Sequence, residues 1–389
     1  MAHVQKILIS GAGIAGPALG FWLARYGFDV TIIERANEPR SGGHAVDFRG
    51  VAMEVLARMG LLDAVQQAAT HMGDMDYIDA AGKIQATLPA NFASGEVEIM
   101  RGDLVDILHQ ATRGDVRYVF GDYIEALNQH EDGVSVSFAN DEAGLYDLVI
   151  GADGQHSGVR RLAFGPEADF AQNLGIYVAV AKIPNFLKLD RRGKMFNAPG
   201  TIVSYYPARH NSEARAMFFF HAEDLDIDYR DIQKQKAVIA ARYRNQGWAV
   251  PRLVDEMLAS EDFYFDNLVQ IQLPAWSVGR VGLLGDSAFC ATPLSGMGTG
   301  MAITGAYMLA QELQRTPDDY ANAFARYQTR LTPFVTASQK LAQMSTSGYV
   351  PKTAFGIQVR NWITRLVSLL PGQALIKPAI DAANSVTLD

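Results

Sequence analysis

A chain of 389 residues exceeds what one ordinary hydrophobic core organises, so two domains and a short appendage are expected. Its 49% apolar and 20% charged residues exclude a disordered chain, and a net charge of -8 argues against nonspecific binding to DNA or an acidic membrane. A single cysteine, Cys290, excludes an intrachain disulfide framework and a cysteine-based zinc or iron–sulfur site, so no metal is expected and the thiol reads as a small buried filler.

The first residues lead into a strand with no signal-peptide pattern, and the apolar runs fall short of the ~20 residues a spanning helix needs. Cytoplasmic residence is the expectation. Lys6 to Ile9 reads as a buried strand, followed directly by Gly11-x-Gly13-x-x-Gly16. Pro17 to Tyr26 reads as a helix, and Pro17 is tolerated near its start because first-turn N–H groups lack intrahelical partners. Gly27 stops it, and Asp29 to Glu34 is a second strand ending in a carboxylate. In this unit Gly11 permits the tight turn, Gly13 lets a pyrophosphate approach the backbone beside Ile14 and Ala15, and Gly16 lets helix and strand pack closely. The helix N-terminus stabilises phosphate, while Glu34 can accept from ribose hydroxyls. Three glycines alone are weak evidence; here the strand, the helix and an acid about 20 residues on are all present. An acid there suits a free 2′-hydroxyl, which leaves FAD or NAD rather than NADP.

Further along, Met75–Asp79 and Gln85–Leu88 read as a hairpin around Ala81-Gly82. Asp147 to Ile150 is an apolar strand running into Gly151-Ala152-Asp153-Gly154, with Ser157, Val159, Arg160 and Arg161 following. Ile176–Val180, Thr201–Tyr206 and Arg215–His221 alternate as strands of one sheet, and Ile232–Gln246 and Pro251–Ser260 read as surface helices. Gly279 to Asp286 repeats the strand-to-glycine design, and Leu294-Ser295-Gly296-Met297-Gly298-Thr299-Gly300 opens a helix over Met301–Leu313. The chain closes with helices Ala321–Met344 and Phe355–Leu370 and a tail containing Pro371-Gly372, Pro378 and Asp389. Glycine turns after three separate strands suit a long, folded ligand touched from several parts of the chain.

These turns, in this order, resemble those of the aromatic-hydroxylase (para-hydroxybenzoate hydroxylase-like) flavoprotein monooxygenases over residues 4–340. The resemblance implies an α/β fold: a Rossmann-like FAD-binding domain, a β-sheet substrate domain and C-terminal helices. It makes the FAD domain discontinuous (1–72, 98–174 and 270–340), completes the substrate domain from 73–97 and 175–269, and leaves 341–389 as a helical extension. It places Asp286 on the ribityl chain of FAD and the backbone of Pro293, Leu294, Ser295 and Gly296 beside the flavin, with Met297 and Gly298 continuing that loop. Asp153 and Gly154 serve FAD and its reduction, and Arg35 follows the ribose acid. Arg101 lies near FAD, and His44 and Asp47 lie near the flavin edge, where loop hydrogen bonding is their alternative role. Ser41-Gly42-Gly43-His44-Ala45-Val46-Asp47-Phe48-Arg49-Gly50, Arg101-Gly102-Asp103-Leu104, Asp262-Phe263-Tyr264-Phe265-Asp266 and Pro293-Leu294-Ser295-Gly296 look most similar to the tetracycline-inactivating flavoprotein monooxygenases. Three positions depart from the common pattern Gly-Asp-Ala-Ala-His…Gly-Gln-Gly-x-Asn: Phe289 stands for His, Met297 for Gln and Gly300 for Asn.

The activity implied is insertion of one oxygen atom from O2 into an aromatic or polyketide-like small molecule through a flavin C4a-hydroperoxide. A tetracycline is the candidate substrate, with antibiotic resistance as the setting. With one GxGxxG turn, NADPH or NADH binds only transiently as reductant. Such chemistry needs a dry pocket. Tyr177, Tyr205, Phe218 and Phe220 are expected to line it, with Arg209, Arg215 and His221 orienting a polar group. The alternatives are that the aromatics build the sheet's core and the cations are solvated. The competing functions are a flavin reductase or dehydrogenase without productive oxygenation, and a noncatalytic FAD-binding redox sensor. No nucleic-acid or membrane partner is expected, and the chain is expected to be a monomer.

Overall fold

The computed structural model describes residues 5–39, 42–90, 95–209, 211–223, 225, 227–228, 230–367 and 373–388. Ser41, the end of the expected helix at Leu370, Pro371-Gly372 and Asp389 lie outside the described residues.

Two large sheets organise the molecule. In the first, Lys6–Ser10 lies between Leu148–Gly151 and Asp29–Glu34, and both pairings are parallel. Val281–Leu283 and Arg117–Phe120 extend it on either side in the same direction, and Ser277–Val278 closes one edge antiparallel. Strands buried on both faces are continuous apolar runs, which is why Ile7-Leu8-Ile9, Leu148-Val149-Ile150 and Val281 to Leu284 carry almost no polar side chains. Because these strands are parallel, the glycine turns that follow them emerge at one edge. Ser10 pairs with Gly151, and Gly151 with Leu283, so three motifs far apart in sequence arrive side by side. The helices Ala15–Arg25 and Gly298–Arg315 pack on this sheet within its core.

The second sheet has seven strands, in the order Phe263–Ile271, Ala171–Pro184, Glu213–His221, Thr201–Ala208, Gly193–Ala198, Met75–Ile78 and Ile84–Leu88. Alternation along a strand sends neighbouring side chains to opposite faces. One face carries Tyr177, Val203, Tyr205, Phe218 and Phe220 and is covered by the helices Ile232–Tyr243 and Val250–Ala259. The other carries Val178, Ile202 and Phe219 and packs against Leu294 and Tyr349. Phe218 is 0% exposed, and truncating such a ring to Ala costs about 3–5 kcal/mol.

Several elements escaped the sequence. Ala45–Phe48 and Val97–Met100 form an antiparallel pair, and Ile124–Gln129, Val134–Phe138 and Gly144–Tyr146 form a meander. The helix expected at Ala321–Met344 runs over Tyr320–Tyr349 despite Pro333, and Ala354–Val367 and Gln373–Ala383 follow it.

Candidate cofactor site

The first turn is built by close approach. Gly11 sits at φ +108°, where an L side chain is strained, and a methyl group there would overlap the carbonyl of Ala152. A methyl at Gly16 would likewise overlap the Gly11 carbonyl. Glu34 turns its carboxylate back toward this turn: Oε2 accepts from the Ala12 N–H at 2.9 Å and Oε1 from the Ala36 N–H at 2.9 Å. A carboxylate oxygen has two lone pairs, so a bond to one backbone N–H does not by itself exclude a hydroxyl donor. Arg35, next in sequence, is exposed. Ile14 and Ala15 begin the helix whose first N–H groups have no intrahelical acceptor, and Arg101 Nη2 lies 3.4 Å from where a Gly13 methyl would be.

The two Gly-Asp turns differ in what their acids do. Asp153 Oδ1 accepts from Ser157 Oγ at 2.5 Å and Ser287 Oγ at 3.2 Å, while Oδ2 accepts from the N–H groups of Gly158 (2.8 Å) and Val159 (3.2 Å). Ser287 Oγ also accepts from the Gly154 N–H at 3.0 Å, which ties this turn to the next. Asp153 is thus engaged within the protein, and what it can offer a cofactor is the placement of Gly154. Asp286 instead remains accessible to solvent while being crowded by protein. Desolvation pushes its carboxyl above the usual range, against the lowering influence of Cys290 and Arg101. Its Oδ1 lies 3.9 Å from where a Gly298 methyl would be, so it faces the start of the helix Gly298–Arg315.

After Asp286 comes the loop from Thr292 to Met297. Thr292 and Gly296 both adopt positive φ, +71° and +63°, around the short turn Pro293–Ser295. Ser295 Oγ donates to the Thr292 carbonyl at 2.9 Å and accepts from the Met297 N–H at 3.1 Å, so its hydroxyl shapes the loop. Pro293 is exposed and Leu294 half-buried against the second sheet. The Met297 side chain, 3% exposed, packs into the main core and leaves only its backbone at the loop. Gly300 faces Ala52 and Phe334. Two of the three departures from the expected pattern, Met297 and Gly300, therefore serve packing.

The loop that follows the second strand reaches the same place. His44 O accepts from the Arg101 N–H at 3.1 Å, Gly43 O accepts from Arg215 Nε at 2.9 Å, and the Ala45 N–H donates to Tyr206 Oη at 3.4 Å. Burial, reinforced by Arg101 and Arg215, lowers the His44 pKa to about 4, so the imidazole is neutral at pH 7. Asp47 Oδ1 accepts from the Gly95 N–H at 2.9 Å, and its Oδ2 is 3.7 Å from where a Gly296 methyl would be. Burial pushes this carboxyl upward.

The residues expected to contact substrate require correction. Tyr177, Tyr205, Phe218 and Phe220 point into the helix-covered core, on the face opposite the one that packs on Leu294. One residue of register decides the face, and the strands turn these four rings to the helix-covered side, so they build the sheet's core. Arg215 is 2% exposed and held by Gly43 O and Glu213, and Arg209 Nη2 pairs with Asp103 Oδ1 at 2.9 Å on the surface. His221 lies within hydrogen-bonding distance of the carbonyls of Val350 (2.8 Å) and Gly175 (3.2 Å). Cys290 is buried. Sequence reading missed Ser287 and Tyr206. For Ser287 the only signal was its place next to Asp286.

A parallel sheet that gathers three glycine turns at its carboxyl edge, with an acid turned toward the first, defines a dinucleotide-binding protein of the α/β class. Residues 5–337 match the FAD binding domain family, and the chain belongs to it. A flavin-dependent monooxygenase from an unknown prokaryotic organism is 42% identical over 93% of this chain and 95% of its own length. An uncharacterised protein of Mycobacterium tuberculosis is 42% identical over 90% of this chain and 95% of its own length. The crystal structure of tetracycline destructase Tet(55), 37% identical, matches with a TM-score of 0.87 over 100% of this chain and 99% of that one. The protein is an FAD-dependent monooxygenase that uses O2 and NAD(P)H on a small-molecule substrate. The accessible acid at Asp286, whose surroundings disfavour its charge, fits a cofactor that brings hydroxyl donors. Among the described residues no group of three His, Cys, Asp or Glu could hold a metal ion, and no helix is long and apolar enough to cross a membrane.

Proposed function

We propose that this enzyme oxygenates a fused-ring aromatic or polyketide-like molecule, with a tetracycline as the first compound to test. The observation that carries this reading is the likeness to the tetracycline destructase Tet(55) over the whole chain, at 37% identity. Bound FAD supplies electron transfer from NAD(P)H to O2 and delivery of one oxygen atom to the substrate.

The chain's own residues bind, orient and exclude water. Glu34 accepts from the adenosine ribose hydroxyls, and the start of the helix Ala15–Arg25 together with Arg101 stabilises the pyrophosphate. Asp286 accepts from the ribityl hydroxyls, and the backbone from Pro293 to Gly298 lines the flavin. Gly154 and its turn would help hold FAD and serve its reduction by NAD(P)H. His44, neutral at pH 7, adds no charge between Arg101 and Arg215, and a neutral imidazole has one donor and one acceptor to offer. The substrate binds beside the Pro293–Gly296 loop, where Leu294 packs on the apolar Val178, Ile202 and Phe219 face of the second sheet. The FAD-binding domain is discontinuous, the second sheet belongs to the substrate domain, and the protein acts as a cytoplasmic monomer.

Tetracycline incubated with the enzyme, FAD and NADPH should yield a product one oxygen atom heavier by mass spectrometry. An unmodified mass, with NADPH consumed only to peroxide, would sink the tetracycline assignment.

A further inference from the structure

Arg215 joins the second sheet to the loop that follows the second strand of the first. It lies on Glu213–His221 opposite Tyr206 and is 2% exposed. Three of its polar atoms are engaged: Nε donates to Gly43 O at 2.9 Å, Nη1 to Ala214 O at 3.4 Å, and Nη2 pairs with Glu213 Oε1 at 3.0 Å. Glu213 in turn holds Lys182 Nζ at 3.0 Å and Arg209 Nε at 3.4 Å. Arg209 reaches Asp103 in the first turn of the helix Arg101–Thr112. That helix returns to the same loop, because the Arg101 N–H donates to His44 O and the Arg101 side chain packs 3.4 Å from where a Gly43 methyl would be. The connections close a ring: second sheet, Gly43 loop, Arg101 helix, Asp103, Arg209, Glu213 and back to Arg215.

A buried cation beside Arg101 and His44 is costly, and an apolar side chain of similar volume would pack the sheet as well. What an apolar side chain cannot do is hold a carbonyl of the loop from the opposite sheet while being aimed by Glu213. Lysine cannot do so either, because it offers a single point of charge where Arg215 uses a planar fork. We propose that Arg215 is a positioning residue for the cofactor: it fixes the Gly42–Ala45 loop against Arg101 and Gly13, so that the placement of the second sheet sets how tightly the loop meets the flavin. It acts through the loop and touches neither substrate nor cofactor.

The test uses holoenzyme without substrate, so its outcome is independent of whether tetracycline is the substrate. Arg215→Lys and Arg215→Met are compared with wild type by the FAD dissociation constant and the visible spectrum of bound flavin. Arg192→Met is the control. Arg192 pairs with Asp76 on the same sheet at 2.6 Å rather than with the Gly43 carbonyl, so its loss tests a weakened sheet with the Arg215 contact kept. Both Arg215 variants should bind FAD about tenfold more weakly, as expected for a lost charge-assisted hydrogen bond, and show a shifted flavin band. Arg192→Met should lower Tm and leave both flavin readouts unchanged. If Arg215→Met does not fold, Glu213→Gln keeps the fork but removes its partner, and a smaller change in the same direction is expected. Wild-type affinity and spectrum in the Arg215 variants, or in Glu213→Gln where it stands in, would overturn the proposal. So would an equal flavin loss in Arg192→Met.

Discussion

Asp153 and Asp286 follow the same kind of strand and glycine, and their sequence contexts look alike. Their surroundings separate them. Four donors from Ser157, Ser287, Gly158 and Val159 converge on Asp153, so its replacement removes a helix cap and the tie between two turns. Asp286 is solvent-accessible, and crowding by the surrounding protein pushes its carboxyl above the usual range. Asp286→Ala should therefore purify with little flavin yet melt near the wild-type apoprotein, while Asp153→Ala should lower stability by about 1–2 kcal/mol through the lost cap. Flavin absorbance per protein and urea unfolding of the apoproteins separate the two effects. Full flavin occupancy in purified Asp286→Ala would show that this carboxylate does not hold the ribityl chain.

At the scale of elements, the first sheet was legible because parallel strands buried on both faces advertise themselves as apolar runs ending in glycine, as Ile7–Gly11 and Leu148–Gly151 do. The second sheet was legible as strands but not as faces. Tyr205 and Tyr206 are both aromatic and both buried, so alternation could not say which of them turns toward the Pro293 loop. The pair Ala45–Phe48 and Val97–Met100 was illegible because each strand is four residues long and the partners lie far apart in sequence. Gly300 shows how an element's packing explains a departure that sequence could only flag. A methyl there would stand 3.4 Å from Ala52 Cβ and 3.7 Å from Phe334 Cζ, which is ordinary contact, whereas a longer side chain must displace one of them. Gly300→Ala should be neutral or stabilising by up to about 1 kcal/mol, since alanine favours the helix. Gly300→Asn, which restores the common family residue, should destabilise by about 1–3 kcal/mol through overpacking. Urea midpoints decide this, and an asparagine variant as stable as the alanine one would refute the packing explanation.

For the whole molecule, two histidines set opposite limits on the pH range of stability. His44 has its folded pKa lowered from 6.5 to about 4, first by burial and then by Arg101 and Arg215. Between those values the unfolded chain binds a proton that the native one refuses, so stability falls as pH drops from 6.5 toward 4. His156 works the other way. It lies within 3.0 Å of both Glu167 and Asp266, tying the segment after Gly154 to the strand Phe263–Ile271 of the second sheet. Hydrogen bonds that the imidazolium donates to Asp266 and then Glu167 raise its pKa from 6.5 to about 10. Here the native state holds a proton that the unfolded chain gives up. The contribution is therefore complete below pH 6.5, declines above it and is lost as pH rises through about 10. The side chain is 49% exposed, so solvent screening keeps the size modest even though the direction is fixed. His156→Gln cannot carry the charge and should flatten the decline between pH 6.5 and 10, while His44→Gln should flatten the acid limb between 6.5 and 4. Urea unfolding of both variants across pH 4 to 10 tests the pair, and a His156→Gln profile parallel to wild type above pH 6.5 would show that this imidazole is not held as a cation between its two carboxylates.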